Sequence, residues 1–212
     1  MHPAVVATTE RIRRRSAPTR QAYLKRLDRL AERPRGSDRM GCANVAHAFA
    51  ALPAELRDRA RLRIVGDILL PEHAAYEAGL RRRIADLGLG DRVTLEPSVP
   101  FRELPALYAS AHAFLNCTPR HSIDKTTLEA LAAGLPAVVT NPAYIEALGE
   151  GFAPWCAEGG EPTAIAAAMA RLIRVTPGER QALADQFAAV VEARHSLDAL
   201  VDRLFEIGRA HV

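Results

Sequence analysis

Four short strand-like runs, Leu62–Val65, Arg92–Glu96, His112–Asn116 and Ala137–Thr140, alternate with stretches of helical periodicity. This alternation constrains the chain more than any other feature. Strands joined through intervening helices pair in parallel, because a parallel crossover needs a dozen or more residues. The apolar run Ala137-Val-Val-Thr140 suits a strand covered on both faces. The expected fold is therefore α/β: a doubly wound, Rossmann-like parallel sheet with ligands in the crevice at the carboxyl ends of its strands. The helix predicted over Glu72–Leu89 places Tyr76, Leu80, Ile84 and Leu87 on one face, with Gly88 near its end. Phe101–Ala111 is predicted as a helix with its proline near the start, and Tyr144–Leu148 as a short helix. A further strand is expected at Phe152–Trp155. Helical stretches at Pro162–Arg174, Pro177–Ala193 and Ser196–Phe205 close the chain.

The segment Ser122–Thr140, SIDKTTLEALAAGLPAVVT, reads as a polar loop, a helix and a buried strand. Thr126-x-x-Glu129 has the spacing of a capping box. Leu128, Leu131 and Ala132 share a helical face, Gly134 suits a left-handed C-terminal cap, and Pro136 ends the helix. Capping leaves Ser122, Asp124 and Lys125 unexplained. A helix start at the carboxyl end of a strand is an anion site, since free N–H groups and the helix dipole both favour negative charge. Gly66-Asp67 follows another strand and occupies an equivalent position.

The 212 residues suffice for one substantial domain or two small ones, and the 49% hydrophobic and 25% charged composition is that of a globular protein. No apolar run approaches the roughly 20 residues that span a bilayer. The opening MHPAVVATTERIRRR places its charges after the apolar stretch, unlike a signal peptide. The cytoplasm is thus expected. Cys42, Cys117 and Cys156 lie far apart without metal-ligand spacing, which points to free thiols. The basic segment Glu10–Gly36 reads as a solvated face; no aromatic platform accompanies it, so no nucleic-acid partner is expected. Lys25 and Lys125 are the only lysines in an arginine-rich chain.

From Ala43 to about Phe205 the order of landmarks RLRIVGD, LGLGDRVTLEPSV, RELPALYASAHAFLNCTPR, LEALAAGLPAVVTNPAYIEAL, EPTAIAAAMARLI and HSLDALVDRLF resembles a known domain. It is similar to the C-terminal, donor-binding domain of retaining glycosyltransferases with the GT-B fold (family 4-like, glycosyl transferases group 1). That resemblance implies a nucleotide-sugar donor linked to UDP, GDP or ADP, used as substrate, with no cofactor and no metal. It places Glu129 on the donor ribose, where a carboxylate accepts charge-assisted bonds from two hydroxyls. It sets the turn Ser122, Ile123, Asp124 and Thr126, together with Gly66 and Asp67, against phosphate and sugar. His121 stands where the family has the first glutamate of its pair, and Lys125 is the cation expected to offset leaving-group charge. Asp124 or Lys125 is expected to take over part of the missing glutamate's role. Pro97 stands where the family commonly has glycine.

Upstream, the resemblance calls for a first strand and a cationic loop. Arg35 and Arg39 are the diphosphate candidates there, and Pro3–Thr8, PAVVAT, reads as a poor substitute for the strand. The expected organisation is a basic, partly helical segment over 1–42, the nucleotide-sugar-binding domain over 43–205 and a tail over 206–212. The tail EIGRAHV back-translates to the start of a sequencing-adapter read and is set apart from the fold. The expected partner is the acceptor-binding domain of a longer parent enzyme, itself cytoplasmic or peripheral at the inner membrane face; this chain alone is expected to be inactive. Without a first strand, a marginal fragment prone to association is expected. Two other readings stay open: a non-catalytic nucleotide-sugar-binding or interaction domain, and a sugar-nucleotide epimerase of the same architecture.

Overall fold

In the computed structural model, residues 4–8, 41–66, 74–118 and 123–196 are described. Five strands, β1 (Ala4–Thr8), β2 (Arg61–Val65), β3 (Val93–Glu96), β4 (Ala113–Asn116) and β5 (Ala137–Val139), form one sheet in the order β3-β2-β1-β4-β5. Every pairing is parallel. Between them run α1 (Cys42–Ala50), α2 (Ala54–Arg57), α3 (Ala74–Asp86), α4 (Leu104–Ala109) and α5 (Lys125–Ala132). After β5 come α6 (Ala143–Leu148), α7 (Pro162–Arg174) and α8 (Pro177–His195). The chain winds outward from β1 to β3, then returns to β4 on the other side of β1. Right-handed crossovers consequently put α1 and α3 on one face of the sheet and α4 and α5 on the other. Helix α7 packs against α1, and α8 packs against α5 and α6.

The segment Ala4–Thr8, expected to be a poor substitute for the first strand, is that strand. Its backbone pairs with β2 from Ala4↔Arg61 to Thr8↔Val65 and with β4 from Val5↔Ala113 to Ala7↔Leu115. Bonded on both sides, it occupies the centre of the sheet. The sheet thus draws its middle member from the segment set apart as an N-terminal linker, and the premise for a marginal, association-prone fragment is gone.

Strands on the β4–β5 side of the sheet are largely apolar because they are covered: β4 and β5 are buried throughout. Helix α3 buries Leu80 and Ile84 as its periodicity predicts. Beyond β5, Phe152 lies in T-shaped contact with Phe187 of α8, ring centroids 4.9 Å apart. Glu150–Trp155 winds as a 3-10 helix and is not the strand expected over Phe152–Trp155. Pro154 has no N–H to give a ladder, and the chain reaches β5 only past this turn, as an isolated parallel bridge of Cys156 to Val139 in which the Ala157 N–H donates to the Val139 carbonyl at 2.7 Å.

Helix α5 ends as expected. Gly134 at φ 76° lets its own N–H reach the Leu131 carbonyl, while the Leu135 N–H reaches Ala130 at 2.9 Å. Its start differs from expectation. Asp124, extended at φ −85° and ψ 136°, is the cap position, so Thr126 lies inside the first turn and the Thr126–Glu129 capping box does not form. The face toward the core is Thr127, Ala130 and Leu131, with Leu128 half-buried and Ala132 exposed. A capping box does form at α8, between Thr176 and Glu179. Helix α8 runs two residues beyond the predicted Ala193, and the expected helix beyond Ser196 lies outside the described residues.

Candidate functional site

The strand order reverses between β1 and β4, so the crevice at their carboxyl ends is where this architecture takes ligands. Two helices begin at that edge. Helix α1 starts at Gly41, whose φ of 68° is open to glycine, and the backbone there is pressed against the residue after β4. A Cβ on Gly41 would lie 2.2 Å from the Cys117 carbonyl oxygen. Helix α5 starts on the far side of the short loop that follows β4.

One buried asparagine ties Thr118 and Asp124, on either side of that loop, to the end of β4. Asn116 ends the otherwise apolar β4 and is 5% exposed. Its Nδ2 donates to Asp124 Oδ2 at 2.8 Å and to Thr127 Oγ1 at 2.8 Å, while its Oδ1 accepts from the Thr118 N–H at 3.0 Å. The Asn116 carbonyl accepts from the Thr140 N–H beyond β5 at 3.2 Å. Tyr144 of α6 completes the arrangement, its hydroxyl oxygen accepting from the Asp124 N–H at 2.8 Å. Asp124, Thr127 and Tyr144 are all buried.

The consequence for α5 is electrostatic. Asp124 holds the cap position but makes no side-chain cap bond, because its carboxylate is turned inward onto Asn116. Among the described residues the first-turn N–H groups of Lys125, Thr126 and Thr127 have no side-chain cap, and an uncapped helix start carries partial positive charge. Lys125 is exposed beside them. One turn on, Glu129 is half-buried, and among the described residues no hydrogen-bond donor is bonded to its carboxylate. Tyr108 of α4 flanks this turn, its hydroxyl 3.5 Å from the Thr126 carbonyl. Burial, and after it the Glu129 charge, pushes the Tyr108 phenol up to about 12.

The structure brings Ile123, Asp124, Lys125, Thr126 and Glu129 together around the α5 start. Ile123 is half-buried and packs on the core. Asp124 differs from expectation: with its carboxylate on Asn116 and its N–H on Tyr144, it is occupied inward and does not face a ligand as the missing glutamate would. Gly66 lies at the same edge but just past β2, its N–H donating to the Glu96 carbonyl at 2.9 Å. Two strand spacings, about 10 Å, separate it from β4. His121, Ser122, Asp67, Arg35 and Arg39 lie outside the described residues. Asn116, Thr127 and Tyr144 were not singled out from the sequence. The available signal was an amide ending an otherwise apolar strand.

Fold and site together define the class: this is a Rossmann-like domain of the GT-B type, with its crevice at the β1–β4 switch point. Residues 37–175 match the glycosyl transferases group 1 family, and the chain belongs to that family. The chain is 32% identical over 89 residues to mannosylfructose-phosphate synthase of Agrobacterium fabrum, covering 41% of this chain and 20% of that enzyme. Among solved structures it is similar to Anabaena HepE in complex with UDP and glucose, with a TM-score of 0.72 and 18% identity. That match covers 99% of this chain and 49% of HepE. Sucrose-phosphate synthase from Thermosynechococcus elongatus gives a TM-score of 0.69 at 18% identity, over 99% of this chain and 45% of the synthase. The chain thus spans about half the length of these two glycosyltransferase structures and a fifth of the curated relative. Among the described residues no helix is long and apolar enough to cross a membrane.

Proposed function

We propose that this chain is the donor-binding domain of a glycosyltransferase that moves a sugar from a nucleotide sugar to an acceptor with retention at the sugar carbon. The observation that carries this reading is the uncapped start of α5 at the switch point, with Glu129 one turn on and its carboxylate unbonded among the described residues. The α5 amides and Lys125 face the diphosphate and offset its charge as it leaves. Glu129 accepts the two ribose hydroxyls. His121, a neutral imidazole in place of the family's glutamate, reaches a sugar hydroxyl, while Ser122, Thr126, Gly66 and Asp67 complete the cradle. Arg35 and Arg39 are the further candidates for the diphosphate. Neutralisation by helix start and cations calls for no metal ion or other cofactor. The acceptor binds to a second domain of the whole enzyme, across the cleft, so this chain by itself is inactive in transfer. The similarity to HepE, solved with UDP and with UDP-glucose, supports a nucleotide-sugar ligand.

The test is a calorimetric titration with UDP-, GDP- and ADP-glucose beside a Glu129→Ala variant. Saturable binding to one of them is expected, weakened about 10- to 100-fold in the variant, as loss of hydrogen bonds to a charged group implies. No binding by the folded protein would overturn the reading. His121 at the glutamate position specifically favours a second one, a domain that binds a nucleotide sugar without catalysing its transfer. Donor binding by a full-length parent that neither hydrolyses nor transfers the sugar would establish that alternative.

A further inference from the structure

The Asn116–Asp124 pair joins two buried polar side chains at the mouth of the crevice, in positions where a ligand-facing carboxylate was expected. Its energetic logic is unusual for a helix cap. A cap residue ordinarily lends its side chain to the first-turn amides, which stabilises the helix. Here Asp124 occupies the cap position, forgoes that bond, and buries its carboxylate against a neutral amide. Burying a carboxylate is costly unless it is both hydrogen-bonded and paired with a cation. The arrangement therefore gives up local helix stability and takes on a desolvation cost, and what it leaves behind, among the described residues, is a set of uncapped amides at the α5 start.

We infer that Asn116, Asp124 and Tyr144 form a positioning clamp that ties Thr118 and Asp124 to the end of β4 and keeps the first-turn amides of α5 open for a ligand's diphosphate. This inference rests on the donor-site reading above and adds to it the residues that set its geometry. Three elements converge in the clamp. Asn116 anchors both ends of the loop: its Oδ1 holds the Thr118 N–H at 3.0 Å and its Nδ2 holds Asp124 and Thr127. Tyr144, carried on α6, fixes Asp124 from the other side through the Asp124 N–H. With side chain and N–H both engaged, Asp124 cannot swing outward to close over the α5 amides. None of the three touches the ligand; they act on it through Lys125, Thr126 and Thr127.

The clamp predicts a selective loss. Nucleosides lack the diphosphate, so their binding depends on Glu129 and its surroundings and not on the α5 amides. The experiment titrates the chain by NMR with UDP, GDP and ADP and with uridine, guanosine and adenosine, in wild type and four variants. Asn116→Ala is expected to weaken the preferred diphosphate about tenfold or more, and its nucleoside by less than about twofold. Asp124→Asn, which keeps an oxygen for Asn116 Nδ2, is expected to stay within about threefold of wild type. The exchange N116D/D124N rebuilds the pair with donor and acceptor reversed, and restores diphosphate binding. Tyr144→Phe releases the Asp124 N–H without stranding a charge, so it carries the test if Asn116→Ala does not fold; the same selective loss is expected.

Wild-type diphosphate affinity in folded Asn116→Ala or Tyr144→Phe overturns the clamp and leaves the donor site standing. So does an equal loss of nucleoside and diphosphate, which would mark a merely structural role. A wild-type chain that binds none of the six compounds overturns both readings together.

Discussion

Replacing Gly41 by alanine tests how closely α1 is held to the crevice. The new Cβ would lie 2.2 Å from the Cys117 carbonyl oxygen, 2.7 Å from its carbonyl carbon and 2.8 Å from its Cβ. Two of these atoms are backbone at the end of β4, fixed by the sheet, so α1 must move. That helix carries the buried Cys42, Val45, Ala46 and Phe49, and a shift loosens their packing. The left-handed φ of 68° adds roughly 1–2 kcal/mol for any residue with a Cβ. Forced repacking of a dense core adds about 1–3 kcal/mol, for a total of about 2–5 kcal/mol. At roughly 2–4 °C per kcal/mol for a chain of this size, the melting temperature should fall by about 5–20 °C. Gly134→Ala is the control: its φ of 76° is also left-handed, but nothing lies within 4 Å of a Cβ there. Only the conformational cost remains, so its loss should be the smaller by about 1–3 kcal/mol. Both variants are measured by calorimetry and by urea unfolding. Equal losses for the two would refute the close approach of α1 to β4.

Phe187→Ala removes the buried ring that packs on Phe152 and holds α8 to the 3-10 helix Glu150–Trp155, and should cost about 3–5 kcal/mol in urea unfolding; a loss under 1 kcal/mol would place that ring outside the core. Glu96 is held below the usual carboxylate range, first by its hydrogen bonds from Arg63, whose fork lies at 2.8–3.1 Å. A depressed folded value means stability present above the unfolded value and lost as pH falls through the folded one. The pair is partly solvated, so its effect is about 0.5–1 kcal/mol. Glu96→Gln should remove that increment at pH 7 and flatten the acid limb of the stability curve, which unfolding at pH 7 and pH 3 measures.

Several features of the fold were legible because they are local. Periodicity marked Leu80 and Ile84 as the inner face of α3, and Gly-Leu-Pro at 134–136 marked the end of α5 and the entry to β5. The site was legible to the extent that it is a helix start after a strand. The direction of Asp124 was not legible, since the loop text fits a ligand-facing carboxylate equally well. What turns it inward is Asn116, eight residues earlier, and Tyr144, twenty residues later.

The sequence by itself determined the α/β class, the places of β2 to β5 and the helix that opens the crevice. Each of these depends on neighbours within a few turns. Tertiary structure decided what long-range pairing decides. Ala4–Thr8 looks weak in isolation, yet it becomes the central strand because β2 and β4 both offer it a ladder. Thr126 and Glu129 have the spacing of a capping box, yet the box is absent because β4 and α6 fix Asp124 as the turning residue. A hydrogen bond between distant segments leaves no periodic trace in the chain, and here such bonds set which groups face the crevice.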